Sequence, residues 1–244
     1  MAGEHVTLPG QVTLLACRRR LTYLSPGARV VTFSHAVAAV FPSWPPLNNA
    51  ILVDPADWTP AAAVSGLTRL YAAAGVGAWA LWLPSSVTDL DVPDGVTDVG
   101  ELRRDTTTIV MRASLSRRRR TRGAVRPTSI AAATRAAGAE PIPAADVPDP
   151  DRVPELSAWV LGHDGMAVAV AWSFLPGSDC GIYTVGTLPR WRRRGCAGAL
   201  TDHVLDDAQR WARTATVQAT RMGLPLFLSL GFAPVGRYEE WVWS

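Results

Sequence analysis

The stretch that most constrains this chain runs from Tyr183 to Ala212, YTVGTLPRWRRRGCAGALTDHVLDDAQRWA. Tyr183, Val185 and Thr187 alternate with Thr184, Gly186 and Leu188, the period-two pattern of a strand, which puts the first three on one face. Pro189 ends that strand because it has no N–H to give to a ladder. Ala197, Leu200, Val204, Leu205 and Ala208 then recur at helical spacing, with Asp202, Asp206 and Asp207 off the stripe. A short turn, Arg192-Arg193-Arg194-Gly195-Cys196-Ala197-Gly198, joins the two. The segment is therefore a strand, a basic turn and a helix.

The first turn of a helix carries backbone N–H groups with no partner inside the helix. Here they lie beside three arginines, and Gly195 and Gly198 allow another molecule to approach the backbone. Such a turn is a socket for a polyanion such as a pyrophosphate. The same residues also suit a solvated basic turn with no ligand.

The pattern R-x-x-G-x-A at Arg192, Gly195 and Ala197 resembles the acetyl-CoA signature of the GNAT N-acetyltransferases. The strand and proline before it match, as does Leu230-Gly231-Phe232 one strand and one helix later. The resemblance is good from Ala158 to Ser244 and weak elsewhere. It implies that the backbone of Val185, Gly186 and Thr187 pairs with the pantetheine arm of acetyl-CoA. It also implies that Arg192, Arg193, Arg194, Gly195, Cys196, Ala197 and Gly198 hold the pyrophosphate. An expected α+β fold follows, with two GNAT-like halves, each a mixed twisted sheet flanked by helices.

The chain has 244 residues, 48% of them hydrophobic, enough for one large core or two small ones. The formal net charge of +3 is too small to imply nucleic-acid binding. Every basic residue is arginine, so a lysine nucleophile or Schiff base is excluded. Cys17, Cys180 and Cys196 form no CxxC pair and are odd in number, which argues against a disulfide framework and for a reducing cytoplasm. The four histidines have no ligand spacing, so no metal is expected. No apolar run reaches the length of a membrane span, and no membrane partner is expected.

Taken in order, Val12 to Leu24 reads as a short helix or strand ending near Arg18 to Arg20. Pro42, Pro45 and Pro46 force a non-helical loop, and Asn48 and Asn49 lead into a strand at Ala50 to Val53. Thr59-Pro60 starts a helix with an apolar face through about Ala74. Strands follow at Ala78 to Leu83 and Thr106 to Ala113, with one helical turn at Ser85 to Leu90. Arg117 to Arg120, Arg122 and Arg126 form a basic linker without interleaved aromatics, which reads as a solvated connector rather than a nucleic-acid surface. Ser129 to Ala137 reads as a helix, Pro141 to Pro154 as a loop, and Ala158 to Phe174 as a hairpin turning at His163-Asp164-Gly165. The last elements are a strand at Thr214 to Ala219, a helix at Gly223 to Leu230 and a strand at Val235 to Trp243.

The two halves have the same rhythm. Ile51 to Val53, Pro55, Trp58 and a helix parallel Val185 to Thr187, Pro189, Trp191 and a helix. Gly95 to Gly100 parallels Gly231 to Gly236. Generic strand–helix alternation would give a similar pattern. Asp57 and Pro60 stand where the second copy has arginines and glycine, so the first half should not bind CoA. The resulting division is a degenerate GNAT-like domain at 1–116, a linker at 117–127 and an acetyl-CoA-binding domain at 128–244. It resembles the tandem type of GNAT protein.

Acetyl transfer to an amine needs a neutral amine, a donor for the oxyanion and a proton for the leaving thiolate. The family's usual acid, a Tyr, is replaced here by Phe227, and an Asn that often contacts CoA by Thr220. Tyr183 and Tyr238 are the alternative donors. Glu239, Glu240 and Asp179 are the available carboxylates, and adjacent Glu239 and Glu240 must face opposite sides. The predicted catalytic set is Tyr183, Tyr238 and Glu239, with Asp179, Trp44 and Asn48 at the acceptor. A packing or solvated role is open for each. The expected activity is direct acetyl transfer from acetyl-CoA to a primary amine of a small molecule, by a monomer or homodimer. Two alternatives remain: a non-catalytic acyl-CoA-binding or sensing protein, and a protein or peptide N-acetyltransferase.

Overall fold

The computed structural model describes residues 7–33, 35–53, 60–86, 101–116, 125–128, 153–164 and 166–243. The expected turn at Ser85 to Leu90 falls mostly outside these residues, as do the Gly95 to Gly100 block, the arginine run 117–122, the 129–137 helix and most of the 141–154 loop.

Helix α1 spans Gln11–Leu21. Strands β1 (Arg29–Phe33) and β2 (Ala36–Val40) form a hairpin, followed by β3 (Asn49–Leu52), α2 (Pro60–Ala72), β4 (Trp79–Ser85) and β5 (Arg103–Ser114). The second half begins with β6 (Val125–Thr128), which pairs with β7, so the end of the expected linker is an edge strand. Then come β7 (Leu156–His163), β8 (Met166–Phe174), β9 (Asp179–Thr187), α3 (Cys196–Ala208), β10 (Thr214–Ala219), α4 (Leu224–Ser229) and β11 (Ala233–Trp243).

The eleven strands among the described residues join one sheet in the order β1-β2-β3-β4-β11-β5-β10-β9-β8-β7-β6. The order is nearly symmetric about its centre. β1–β2–β3–α2–β4 repeats as β7–β8–β9–α3–β10, and each crossover helix joins a parallel pair, β3 with β4 and β9 with β10. The last strand of each half crosses over. β5 pairs antiparallel with β10 of the second half, and β11 pairs antiparallel with β4 of the first. β5 and β11 pair with each other in the middle.

Small residues let the crossover helix sit close on the sheet. Ala169, Ala171, Cys180, Ala215 and Ala113 are buried under Leu200, Val204, Leu205 and Ala208 of α3. α2 docks on the same face of the first half through Val64, Leu67 and Tyr71 against Leu81, Leu83 and Trp241. There Tyr71 stacks on Trp79 at 5.0 Å and donates its hydroxyl proton to the Ala39 carbonyl at 3.0 Å.

α1 covers the opposite face. Leu14, Cys17 and Leu21 pack on Ile51, Val110, Trp172 and Tyr183. Gly10, its first cap, has φ +79, and a Cβ there would collide with the Thr216 side chain, so only glycine permits this approach. Asp179 fastens the same end. Its carboxylate accepts hydrogen bonds from the hydroxyls of Thr13 at 2.7 Å, Thr214 at 2.7 Å and Thr216 at 2.8 Å. This corrects the expected acceptor role of Asp179: its oxygens are spent on joining α1 to β9 and β10.

Replacing Asp179 with Ala leaves three threonine hydroxyls without their acceptor and should cost about 3 kcal/mol of unfolding free energy. Urea titration of wild type and Asp179→Ala checks this, and an unchanged midpoint would contradict the anchoring role.

Candidate functional site

β9 pairs with β10 only from Asp179 to Ile182. Beyond Ile182 the two strands part, and β10 continues on β5 alone through Ala219. A bulge sits at the parting point. Val170 pairs with Gly186 and Trp172 with Tyr183, so two β9 residues, Thr184 and Val185, face one on β8. Thr184 takes φ +52, a left-handed conformation that few threonines adopt. The extra residue reverses the alternation. Tyr183 packs with the α1-side cluster, while Val185 packs with the α3-side cluster. The expected shared face of Tyr183 and Val185 is therefore broken by the bulge.

The gap opens into a cleft of about 930 Å³. At one end stands the turn into α3. Gly195 caps the helix at φ +79, no side chain caps it, and its first turn holds no acidic residue. The first intrahelical bond of the turn runs from the Ala199 N–H to the Gly195 carbonyl at 2.9 Å. The N–H groups of Cys196, Ala197 and Gly198 have no such partner within the helix. A Cβ on Gly195 would touch nothing within 4 Å, so the space over this end is open. Arg192 and Arg193 line the cleft here, and Arg192 Nε donates to the Thr187 carbonyl at 3.2 Å, folding the turn back on the strand. Arg194 instead lies 5.2 Å over the Trp191 ring.

The other end of the cleft is lined by Leu14, Cys17, Arg18 and Leu21 of α1, Trp82 of β4, Thr108 of β5 and Trp172 of β8. Both halves and both faces of the sheet thus contribute to one cavity.

No family model matches the sequence, and no curated protein matches it. Solved structures do. A GCN5-related N-acetyltransferase from Kribbella flavida superposes with a TM-score of 0.66 at 18% identity, over 96% of this chain and 95% of that one. A GCN5-related N-acetyltransferase from Sphaerobacter thermophilus gives 0.55 at 15% identity, over 87% and 81%. A tandem GNAT protein from the clavulanic acid biosynthesis pathway gives 0.56 at 12% identity, over 96% and 87%. The chain has the GNAT fold.

Within that GNAT fold the predicted binding residues fall in two groups. Val185, Gly186, Thr187, Arg192, Arg193, Gly195, Cys196, Ala197, Gly198, Thr220 and Phe227 all line the cleft. Arg194 does not, because Trp191 holds it. Thr220 accepts the Gly223 N–H on its hydroxyl at 3.3 Å and on its carbonyl at 2.9 Å, so it shapes the entry to α4. Phe227 is buried edge-on against Phe232 at 5.4 Å and carries no proton to give.

The predicted catalytic residues separate. Tyr183 lines the cleft, and its enclosed hydroxyl has no hydrogen-bond partner among the described residues. Burial raises its pKa well above that of an ordinary phenol, so it is held protonated. Tyr238 is corrected to a packing role: it is buried, donates to Gln11 Oε1 at 3.1 Å and lies tilted against the Trp82 ring at 5.3 Å. Glu239 is also corrected. It is buried and ion-paired with Arg237 at 2.8 Å, in register with Leu83 on the α2 face. Its neighbour Glu240 is in register with Trp82, on the α1 face. Burial raises the Glu240 carboxyl, the Trp82 indole beside it opposes the rise, Asp105 adds to it and Arg18 opposes it.

The predicted acceptor wall is made by other members of the same loop. Asn48 is buried, accepting the Phe41 N–H at 2.7 Å and donating to the Phe41 carbonyl at 3.1 Å, so it closes the loop on itself. Trp44 is buried edge-on against Trp172 at 5.6 Å. Pro46 and Leu47 line the cleft in their place. Sequence reasoning passed over α1, Trp82, Thr108 and Trp172. The signal for α1 was present, since Leu14, Cys17, Arg18 and Leu21 recur at i, i+3, i+4 and i+7.

The three cysteines are free and differ in environment. Burial pushes the thiols of Cys17 and Cys180 up to about 12, whereas Cys196 is half-buried at the cleft wall. Iodoacetamide at neutral pH should therefore modify Cys196 alone in the folded protein, read by peptide mass spectrometry. Labelling of Cys17 at a similar rate would show that the α1 end of the cleft is open to solvent.

Proposed function

We propose that the protein is an acetyl-CoA-dependent N-acetyltransferase that moves an acetyl group to a primary amine of a small molecule by direct transfer in a ternary complex. One arrangement carries this reading: the uncapped amide end of α3 opens into the same cleft as the bulged, unpaired edge of β9. Acetyl-CoA, when bound, supplies an acetyl group activated as a thioester.

The first-turn N–H groups of α3, with Arg192 and Arg193, fit a diphosphate, and no carboxylate in that turn repels one. The free edge of β9 from Val185 to Thr187 offers backbone donors and acceptors to an amide-bearing arm, while Val217, Leu226 and Phe227 supply apolar contact. Backbone N–H groups released by the bulge are donors for a developing oxyanion. Tyr183 stays protonated and acts as a hydrogen-bond donor at the far side of the bulge. The ammonium of the acceptor must lose a proton before it can attack, and Glu240, in register with Trp82 of the cleft wall, is a carboxylate on that side of the sheet. The neutral thiol of Cys17 and the placement of Cys196 in the phosphate turn support direct transfer over an acyl-enzyme. The wall of Pro46 and Leu47 supports a small acceptor over a protein chain. In this reading 128–244 carries the CoA site and 1–116 is a degenerate half that helps to wall the acceptor end.

Phe227 favours one second reading, acyl-CoA binding without catalysis. Acetylation of any amine in a panel by the purified protein would dismiss it.

Gly195→Asp places a carboxylate over the helix end without displacing a neighbour. Calorimetry with acetyl-CoA should show affinity falling at least about tenfold, since a repelling charge replaces an open donor site. Equal affinity in wild type and variant, with melting temperature as a control for the positive φ, would remove the assigned socket.

A further inference from the structure

Arg18 lies in the apolar stripe of α1 with 9% of its surface exposed. Burying a guanidinium is costly unless it is paired. The other buried charged side chains among the described residues, Arg237 and Glu239, obey that rule by pairing at 2.8 Å. Arg18 does not. Its Nε has no hydrogen-bond partner, and no ion pair among the described residues includes it. It also lines the cleft, at the end away from the arginine turn.

The orphaned groups around it are of one chemical kind. Trp172 Nε1 is buried without a partner, and so are the hydroxyls of Tyr183 and Thr108. All three residues line the same end. Arg and Trp can only donate, and Tyr and Thr can donate as well. A wall of unpaired donors around a buried cation fits a ligand rich in acceptor oxygens and negative in charge. Glu240 is the one described carboxylate whose charge bears on Arg18, and it pairs with Trp82 in strand register rather than with the guanidinium in an ion pair. The rest of this end is apolar, made by Leu14, Leu21, Pro46 and Leu47.

We propose that the acceptor amine carries a carboxylate, and that Arg18 holds this carboxylate. The substrate class is then an amino acid with an apolar body. This inference rests on the acetyltransferase reading for the identity of the reaction, but the anion site itself does not depend on catalysis. The step balances: the neutral acceptor nitrogen bonds to the acetyl carbon, the carbon–sulfur bond breaks, and the proton that the nitrogen gives up ends on the departing sulfur, so CoA leaves as the thiol.

The test uses the full chain and pairs of ligands that differ only in the carboxylate. Apolar α-amino acids and ω-amino acids are each compared with their own carboxamide, by release of CoA thiol from acetyl-CoA. The α-carboxamides have the less basic amine, which by itself favours them, so a preference for the acid is not an effect of amine pKa. At least one acid should exceed its amide in kcat/KM by about tenfold or more, the scale of one charged hydrogen-bonded pair. Arg18→Met, which fits the apolar stripe, should collapse that ratio towards one. In parallel, calorimetry without acetyl-CoA uses the N-acetylated acids and N-acetylated amides, the products of each pair. Binding of an acid and not its amide, lost in Arg18→Met, supports the anion site even if no turnover is seen, in which case the acetyltransferase reading fails alone. Turnover with no acid preferred over its amide, in rate or in product binding, overturns the inference and leaves that reading standing. So does an Arg18→Met effect confined to succinyl-CoA against acetyl-CoA, which would assign the guanidinium to the acyl group.

Discussion

The structure depends on an interrupted ladder. β9 and β10 are parallel neighbours for four residues and then separate, and the separation makes room for the cleft. A continuous ladder would satisfy the backbone of Val185 to Thr187 within the sheet and leave no cavity between the two faces. The bulge at Thr184 and Val185 fixes how the strand leaves its neighbour. It also sends Tyr183 to the α1 side and Val185 to the α3 side. Because α3 is the crossover between these two strands, its leading end opens into the gap that they create. The topology thus brings helix amides and strand amides into one cleft with no further device.

Much of this was legible, and the reasons are specific. Elements with a strong local signal were readable: α3 from its apolar stripe, β7 and β8 from the turn residues between them, and the repeat from its strand–proline–helix rhythm. The bulge was not, because nothing in the residues YTVGT breaks their alternation; a threonine at φ +52 is imposed by the partner strand. The opposite orientation of Glu239 and Glu240 was readable from strand parity. Which of them faces α1 was not, since β11 lies between two strands of the other half and a second irregularity falls between Glu239 and Trp241. Asp179 and Asn48 looked available because their partners are distant or backbone groups, which a sequence does not display. Arg18 was hidden by the opposite effect: an arginine among arginines reads as surface, although its spacing with Leu14, Cys17 and Leu21 puts it on the buried face.

Several polar groups that hold the scaffold have close partners: Asn48 closes its loop, half-buried Asp179 gathers three threonines, and Arg237 and Glu239 neutralise each other. Those at the α1 end of the cleft are left open: Arg18, Trp172, Tyr183 and Thr108 each carry a buried atom with no partner. At that end a ligand could complete the unpaired donors.

The crossing of β5 and β11 has a consequence for biogenesis. β5 leaves the ribosome before either of its eventual neighbours, β10 and β11, has been made. β4 likewise waits for β11 to cover its open side. Neither half can therefore complete its part of the sheet alone during synthesis, and β4 and β5 carry exposed strand edges until β11 has been made. The exchange makes the two halves interdependent, because removing either one strips a partner strand from the other.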